Sequence, residues 1–134
     1  MTLLELDDVH TYYGESHILE GVSLEVEEGE VVALLGRNGV GKTTTMRSIL
    51  QLTRPREGSI RFAGEELVGR DTYQVAEAGI GWIPEERRMF ARLSVEENIR
   101  AAVPASAAVD EALTTAYETF PSLEARAAQR AGDL

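Results

Sequence analysis

The sequence of 134 residues predicts an α/β fold: a mixed sheet containing an antiparallel hairpin, followed by a helical region. Three observations lead there. Two alternating segments near the N-terminus read as a hairpin. Two continuous aliphatic runs read as strands buried on both faces. After Pro84 the strand signals stop, and alanine, glutamate and arginine dominate.

Taken in order, "LLELDDV" (Leu3–Val9) alternates imperfectly and reads as a strand. "HILEGVSLEVEEGE" (His17–Glu30) places Val22, Leu24 and Val26 at period two before a Glu-Gly turn, which is the pattern of a half-buried strand. The pair suggests an antiparallel hairpin with one wet face. "VVALLG" (Val31–Gly36) is a continuous run, as expected of a strand covered on both faces. A helix should follow from Gly41 to about Leu52 and stop before Pro55, because proline disfavours helical backbone in its predecessor. "GSIRFAGEEL" (Gly58–Leu67) reads as a strand and turn, "TYQVAEAG" (Thr72–Gly79) as a short helix, and "IGWIP" (Ile80–Pro84) as a second buried strand. "SVEENIRAAV" opens with Ser94 and has Glu97 three residues on, a capping-box pattern at a helix start. The chain therefore divides softly between Pro84 and Leu93, into a core over 1–84 and a linking loop with helices over 85–134.

Composition excludes several classes. With 43% hydrophobic and 27% charged residues the chain has an ordinary water-soluble composition. No apolar run approaches the roughly 18 residues needed to cross a bilayer. The N-terminus "MTLLELDDVH" carries acids where a secretory signal carries basic residues, so no targeting segment is expected. Cysteine is absent, which excludes disulfides and fits a reducing cytoplasm. A formal net charge of −10 disfavours non-specific binding to nucleic acid, which depends on Lys and Arg facing phosphates. Positive charge is instead concentrated locally, at Arg37, Lys42 and Arg47.

That local charge belongs to the stretch "GRNGVGKTTT". Gly36, Gly41, Lys42 and Thr43 meet the pattern G-x-x-x-x-G-K-[ST]. Glycines let the backbone turn tightly enough for successive N–H groups to face phosphate oxygens, and the following helix presents its positive end there. Lys42 supplies a point charge for the outer phosphates and the Thr43 hydroxyl ligates Mg²⁺. Arg37, Asn38, Gly39 and Val40 complete the loop, and Thr44 reaches the inner phosphate. The motif lies between a buried strand and a helix, where this mechanism needs it, and defines a P-loop NTPase core.

Residues beyond the loop add a resemblance. "YYGESHILEGVSLEVEEGEVVALLGRNGVGKTTTMRSILQLTRPREGSIRFAGEEL" resembles the N-terminal half of an ABC-transporter ATPase subunit, and the resemblance runs the length of the chain. It implies ATP and Mg²⁺ as ligands. An aromatic just before a glycine stacks on adenine in that family, which points to Tyr13 before Gly14; Tyr12 is a neighbouring rival, and a plain hairpin tyrosine is the other reading of Tyr13. "IGWIPEERRMFARLSVEENI" is similar to the loop joining the ATP core to the helical subdomain. Most members carry glutamine where Glu85 stands, at a position that touches Mg²⁺ and the attacking water; a carboxylate ligates Mg²⁺ through oxygen as well.

The Pro-Glu-x-Arg-Arg arrangement and "FPSLEARAAQRAGDL" are similar to the subgroup serving branched-chain amino-acid importers, with urea or short-chain amide importers as neighbours. The resemblance implies a second ATPase subunit, identical or not, and transmembrane permease subunits contacted through Arg87, Arg88, Met89 and Phe90. It also implies a cytoplasmic location, peripheral on the inner face of the membrane. In the family a signature L-S-G-G-[EQ] ends the helical subdomain, and it would begin at Leu134; the carboxylates and histidine of hydrolysis follow it. The resemblance thus implies an incomplete domain. His10 and His17 precede the P-loop, so neither is that histidine. An ATP-hydrolysing importer subunit is the expected whole, with a non-catalytic nucleotide-binding or interaction fragment as the alternative. A GTPase would require Asn-Lys-x-Asp, which the sequence lacks.

Overall fold

The computed structural model describes residues 1–36, 41–84, 89–103 and 107–134. They form two compact units, Met1–Gly81 and Trp82–Leu134.

In the first unit β1 (Thr2–Tyr13) and β2 (Ser16–Glu27) form the expected antiparallel hairpin. β3 (Glu57–Phe62) pairs with the other edge of β1, and the two-residue β4 (Glu65–Glu66) with β3, giving the order β2-β1-β3-β4. The imperfect alternation of Leu3–Val9 has a structural cause. Asp8 sits at φ 48 in a bulge, so β1 advances three residues, Leu6 to Val9, while β2 steps two, Leu24 to Val22. The extra residue keeps Leu6, Val9 and Thr11 all on the buried face. Ser23 closes the bulge, its Oγ accepting from the Asp8 N–H at 2.9 Å. Gly58 on β3 completes it at φ 96, because a Cβ there would lie 2.4 Å from the Asp8 carbonyl oxygen.

α1 (Lys42–Ile49) packs its buried face through Thr44, Thr45, Ser48 and Ile49. It ends earlier than the proline rule predicts. Gln51 takes the left-handed conformation at φ 61, its N–H donates to Ser48 O at 3.1 Å, and the Leu52 N–H donates to Arg47 O at 2.9 Å. This is a Schellman closure with glutamine in the usual glycine position. The Gln51 side chain is buried and employed: its Nε2 donates to Ser48 O at 2.8 Å and its Oε1 accepts from the Gly69 N–H at 3.0 Å. α2 (Thr72–Glu77) buries Val75, and Leu6, Val9, Leu19, Ile60 and Leu67 are further buried apolar residues of this unit's core.

Two expectations fail. Val31–Gly36 and Ile80–Pro84 belong to no strand, and the sheet of the described residues is antiparallel throughout. Val31, Leu35 and Ile83 are 96%, 88% and 95% exposed. The reason is pairing. A strand patterned for burial on both faces needs a neighbour on each edge and layers above and below; among the described residues none pairs with either run.

The second unit is helical, as expected: α3 (Val95–Ala102), α4 (Val109–Thr119) and α5 (Pro121–Ala125), then a single 3₁₀ turn at Ala131–Asp133. The capping box forms as read. Ser94 Oγ accepts from the Glu97 N–H, and Glu97 Oε1 from the Ser94 N–H, each at 3.1 Å. Asn98 fastens the preceding segment. Its Oδ1 accepts from the Phe90 N–H at 2.8 Å, and its Nδ2 donates to Phe90 O and Ser94 O, both at 3.0 Å.

Candidate nucleotide-binding site

The site is built where α1 begins. Gly41 is the N-cap residue at φ 103, a backbone conformation that a side chain strains, and an added Cβ would press on Leu19 at 2.9 Å. Its carbonyl receives the Thr45 N–H at 2.8 Å and the Thr45 hydroxyl at 2.7 Å, so the first turn is held tightly shut. The leading N–H groups of a helix have no intrahelical acceptor, and here they belong to Lys42, Thr43 and Thr44. No acidic residue stands in that turn and Arg47 stands in the last one, so the helix dipole faces an anion unopposed. Lys42 is half-buried, Thr43 exposed and Thr44 buried. Gly36 is exposed at the end of the aliphatic run, while Arg37, Asn38, Gly39 and Val40 lie outside the described residues.

A buried polar ladder fixes α1 against β1. Ser48 Oγ donates to Thr44 O at 2.7 Å, so its proton is committed, and the Thr11 hydroxyl donates to Ser48 Oγ at 2.8 Å. β1 carries on two residues past Thr11 to Tyr13. There the Thr44 hydroxyl donates to the Tyr13 phenol oxygen at 3.3 Å. The structure therefore brings Tyr13, 43% exposed, to the first turn of the loop helix. Its rival is occupied elsewhere. The Tyr12 ring stacks on His17 at 4.2 Å and 7°, and the Arg56 guanidinium lies over it at 4.2 Å. His17 Nε2 in turn meets His10 Nδ1 at 2.9 Å, so both histidines are part of the strand packing.

Of the other sequence candidates, Glu85, Arg87 and Arg88 lie outside the described residues. Met89 and Phe90 are 44% and 62% exposed. Among the described residues no group of three His, Asp or Glu side chains could hold a metal ion. Thr43 is thus the described candidate for a Mg²⁺ ligand, and a bound nucleotide would have to supply the ion's other oxygens. Sequence reasoning missed Arg56, Gln51 and Asn98, whose roles depend on contacts far along the chain or on backbone geometry.

Together, a glycine-opened helix start, a lysine and two threonines in its first turn, and a hairpin tyrosine beside them define a nucleotide-binding cassette of the P-loop class. The chain belongs to the ABC transporter family, whose profile matches residues 19–132. It is 40% identical over 134 residues to the high-affinity branched-chain amino acid transport ATP-binding protein BraG of Pseudomonas aeruginosa, covering 98% of this chain and 58% of that one. It is 38% identical over 101 residues to the lipopolysaccharide export system ATP-binding protein LptB of Haemophilus influenzae, covering 75% of this chain and 42% of the relative. The fold matches a crystal structure of a nucleotide-free ATP-binding cassette from an ABC transporter with a TM-score of 0.82 at 22% identity, over 100% of this chain and 59% of that one. The chain thus spans between 42% and 59% of the length of these three proteins. Among the described residues no helix is long and apolar enough to cross a membrane.

Proposed function

We propose that these residues form the nucleotide-gripping portion of an importer ATPase, which binds Mg²⁺-ATP and whose full cassette hydrolyses it to drive uptake of branched-chain amino acids. The contact between Thr44 and Tyr13 is the observation that carries the reading, since it sets a stacking ring beside the phosphate-facing helix start. In this reading the N–H groups of Lys42, Thr43 and Thr44 and the Lys42 ammonium hold the phosphates. Thr43 ligates Mg²⁺, joined by Glu85, and the Tyr13 ring stacks on adenine. Gly36, Arg37, Asn38, Gly39 and Val40 supply the rest of the loop.

Phosphoryl transfer also needs a positioned water and charge compensation at the leaving oxygen. Those groups are assigned to the remainder of the cassette and to a second ATPase subunit closing over the nucleotide. Closure is passed to permease subunits on the inner face of the membrane through the segment Arg87–Phe90. The amino-acid substrate is supported by the likeness to BraG, and the likeness to an export ATPase at similar identity is why the substrate needs its own test.

Two measurements decide the reading. In the full-length protein, Mg²⁺-ATP hydrolysis should fall to background in Lys42→Ala. Binding without turnover in the unsubstituted protein would favour a non-catalytic module instead. Leucine uptake into cells lacking the gene should fall against uptake of ribose; equal uptake of leucine would remove the substrate assignment.

A further inference from the structure

We infer that Arg56 is a positioning residue for the adenine platform, holding the Tyr13–Gly14 turn in its binding geometry; the inference rests on the stacking role proposed for Tyr13. Arg56 stands one residue before β3 and is fastened to the end of β1 at three places. Its N–H donates to His10 O at 2.8 Å. Its guanidinium lies 4.2 Å from the centroid of the Tyr12 ring. Its Nη2 donates to Gly14 O at 2.6 Å. Tyr13 lies between the last two anchors, so one guanidinium holds the residues on either side of it.

The turn needs such a brace. Gly14 and Glu15 form a two-residue connection with Gly14 at φ 61 and Glu15 outside the left-handed region, the arrangement of a type II′ hairpin. Among the described residues a Cβ at Gly14 would meet nothing within 4 Å, so none of them packs on the turn from that side. The Tyr12 ring is also stacked on His17, which gives the guanidinium a fixed surface to lie on. Among the described residues the Tyr13 hydroxyl is met by the Thr44 hydroxyl. A planar, permanently charged fork can lie on a ring and donate to a carbonyl together; an ammonium does one or the other. Holding the platform before the base arrives removes an ordering step from binding.

The test measures affinities for Mg²⁺-ATP and for inorganic tripolyphosphate with Mg²⁺ in the full-length protein, in Tyr13→Ala, Arg56→Ala, Arg56→Lys and the double variant of Tyr13→Ala with Arg56→Ala. Arg56→Ala should weaken ATP roughly threefold to tenfold and leave tripolyphosphate unchanged, because the phosphate cradle is untouched. Arg56→Lys should recover part of the loss. The double variant should bind ATP no more weakly than Tyr13→Ala, since both changes act through one ring. Should Arg56→Ala not fold, Arg56→Lys is read by the same ratio. A ratio moved by Tyr13→Ala but by neither Arg56 variant overturns the inference alone, as does an equal fall for both ligands. A ratio unmoved by Tyr13→Ala brings down the stacking reading and this inference with it.

Discussion

The β1–β2 hairpin and the run Val31–Gly36 lie a few residues apart, are both rich in β-branched and aliphatic residues, and meet opposite fates. The hairpin closes through a two-residue turn, so its ladder needs nothing distant. Its wet face carries Glu20 and Glu25, and on its other face Leu6, Val9, Thr11 and Leu19 are buried. Val31–Gly36 has no wet face to offer. Its residues are exposed, and no strand among the described residues pairs with them. The difference teaches that a strand's sequence specifies its need for partners, and only local pairing can meet that need locally. Parallel neighbours come from far along a chain, by crossover connections.

Substitutions can break or sharpen that contrast. The largest effect is expected from Gly58→Ala, which drives a methyl group against the backbone of the Asp7–Asp8 bulge, with oxygens at 2.7 and 2.4 Å, and strains a φ of 96. A loss of about 4 kcal/mol is expected by denaturant unfolding, since the backbone there cannot yield. Next is Leu35→Ala, 88% exposed here. It should change the stability of the 134-residue chain by no more than about 0.5 kcal/mol. In the full-length protein, where we propose the run is covered, it should cost about 3 kcal/mol. Equal small effects in both would mean that the run stays open. Thr11→Val removes a buried donor while Ser48 keeps its bond to Thr44 O, so about 1 kcal/mol should be lost, read from the denaturation midpoint.

The smallest effect is a pH dependence at the hairpin's open end. The Thr2 hydroxyl donates to Glu27 Oε1 at 2.8 Å and the N-terminal ammonium lies 3.2 Å from its Oε2. Both hold the Glu27 carboxyl below its ordinary value, the hydroxyl more than the ammonium. A lowered native pKa means that the unfolded chain takes up a proton first on acidification. The contribution is therefore complete above the ordinary glutamate range and is lost as pH falls through the native value. Thr2→Val should shrink this acid-dependent step in thermal unfolding; an unchanged step would place its origin elsewhere.

Much of the site was legible because its chemistry is sequential. Gly41, Lys42, Thr43 and Thr44 are consecutive, so their spacing alone predicts a helix start that faces phosphate. The hairpin, the short helices and the Ser94–Glu97 box were legible for the same reason, each being decided by neighbours in sequence. Helix α1 was read three residues too long because Gln51 does what glycine usually does, supported by a bond from Gly69 that no local pattern announces.

By itself the sequence determined the helix start at Gly41 and Lys42, the antiparallel pairing and the helical character of the second unit, since these depend on residues within a few positions of one another. Only the tertiary structure set the Tyr13 hydroxyl against Thr44 and the Tyr12 ring against His17, explained the broken alternation through the Asp8 bulge, and brought Arg56 to the turn at Gly14, 42 residues away. Among the described residues it likewise leaves Val31–Gly36 unpaired. Contacts across such distances depend on which strands lie side by side, and that is a property of the assembled sheet.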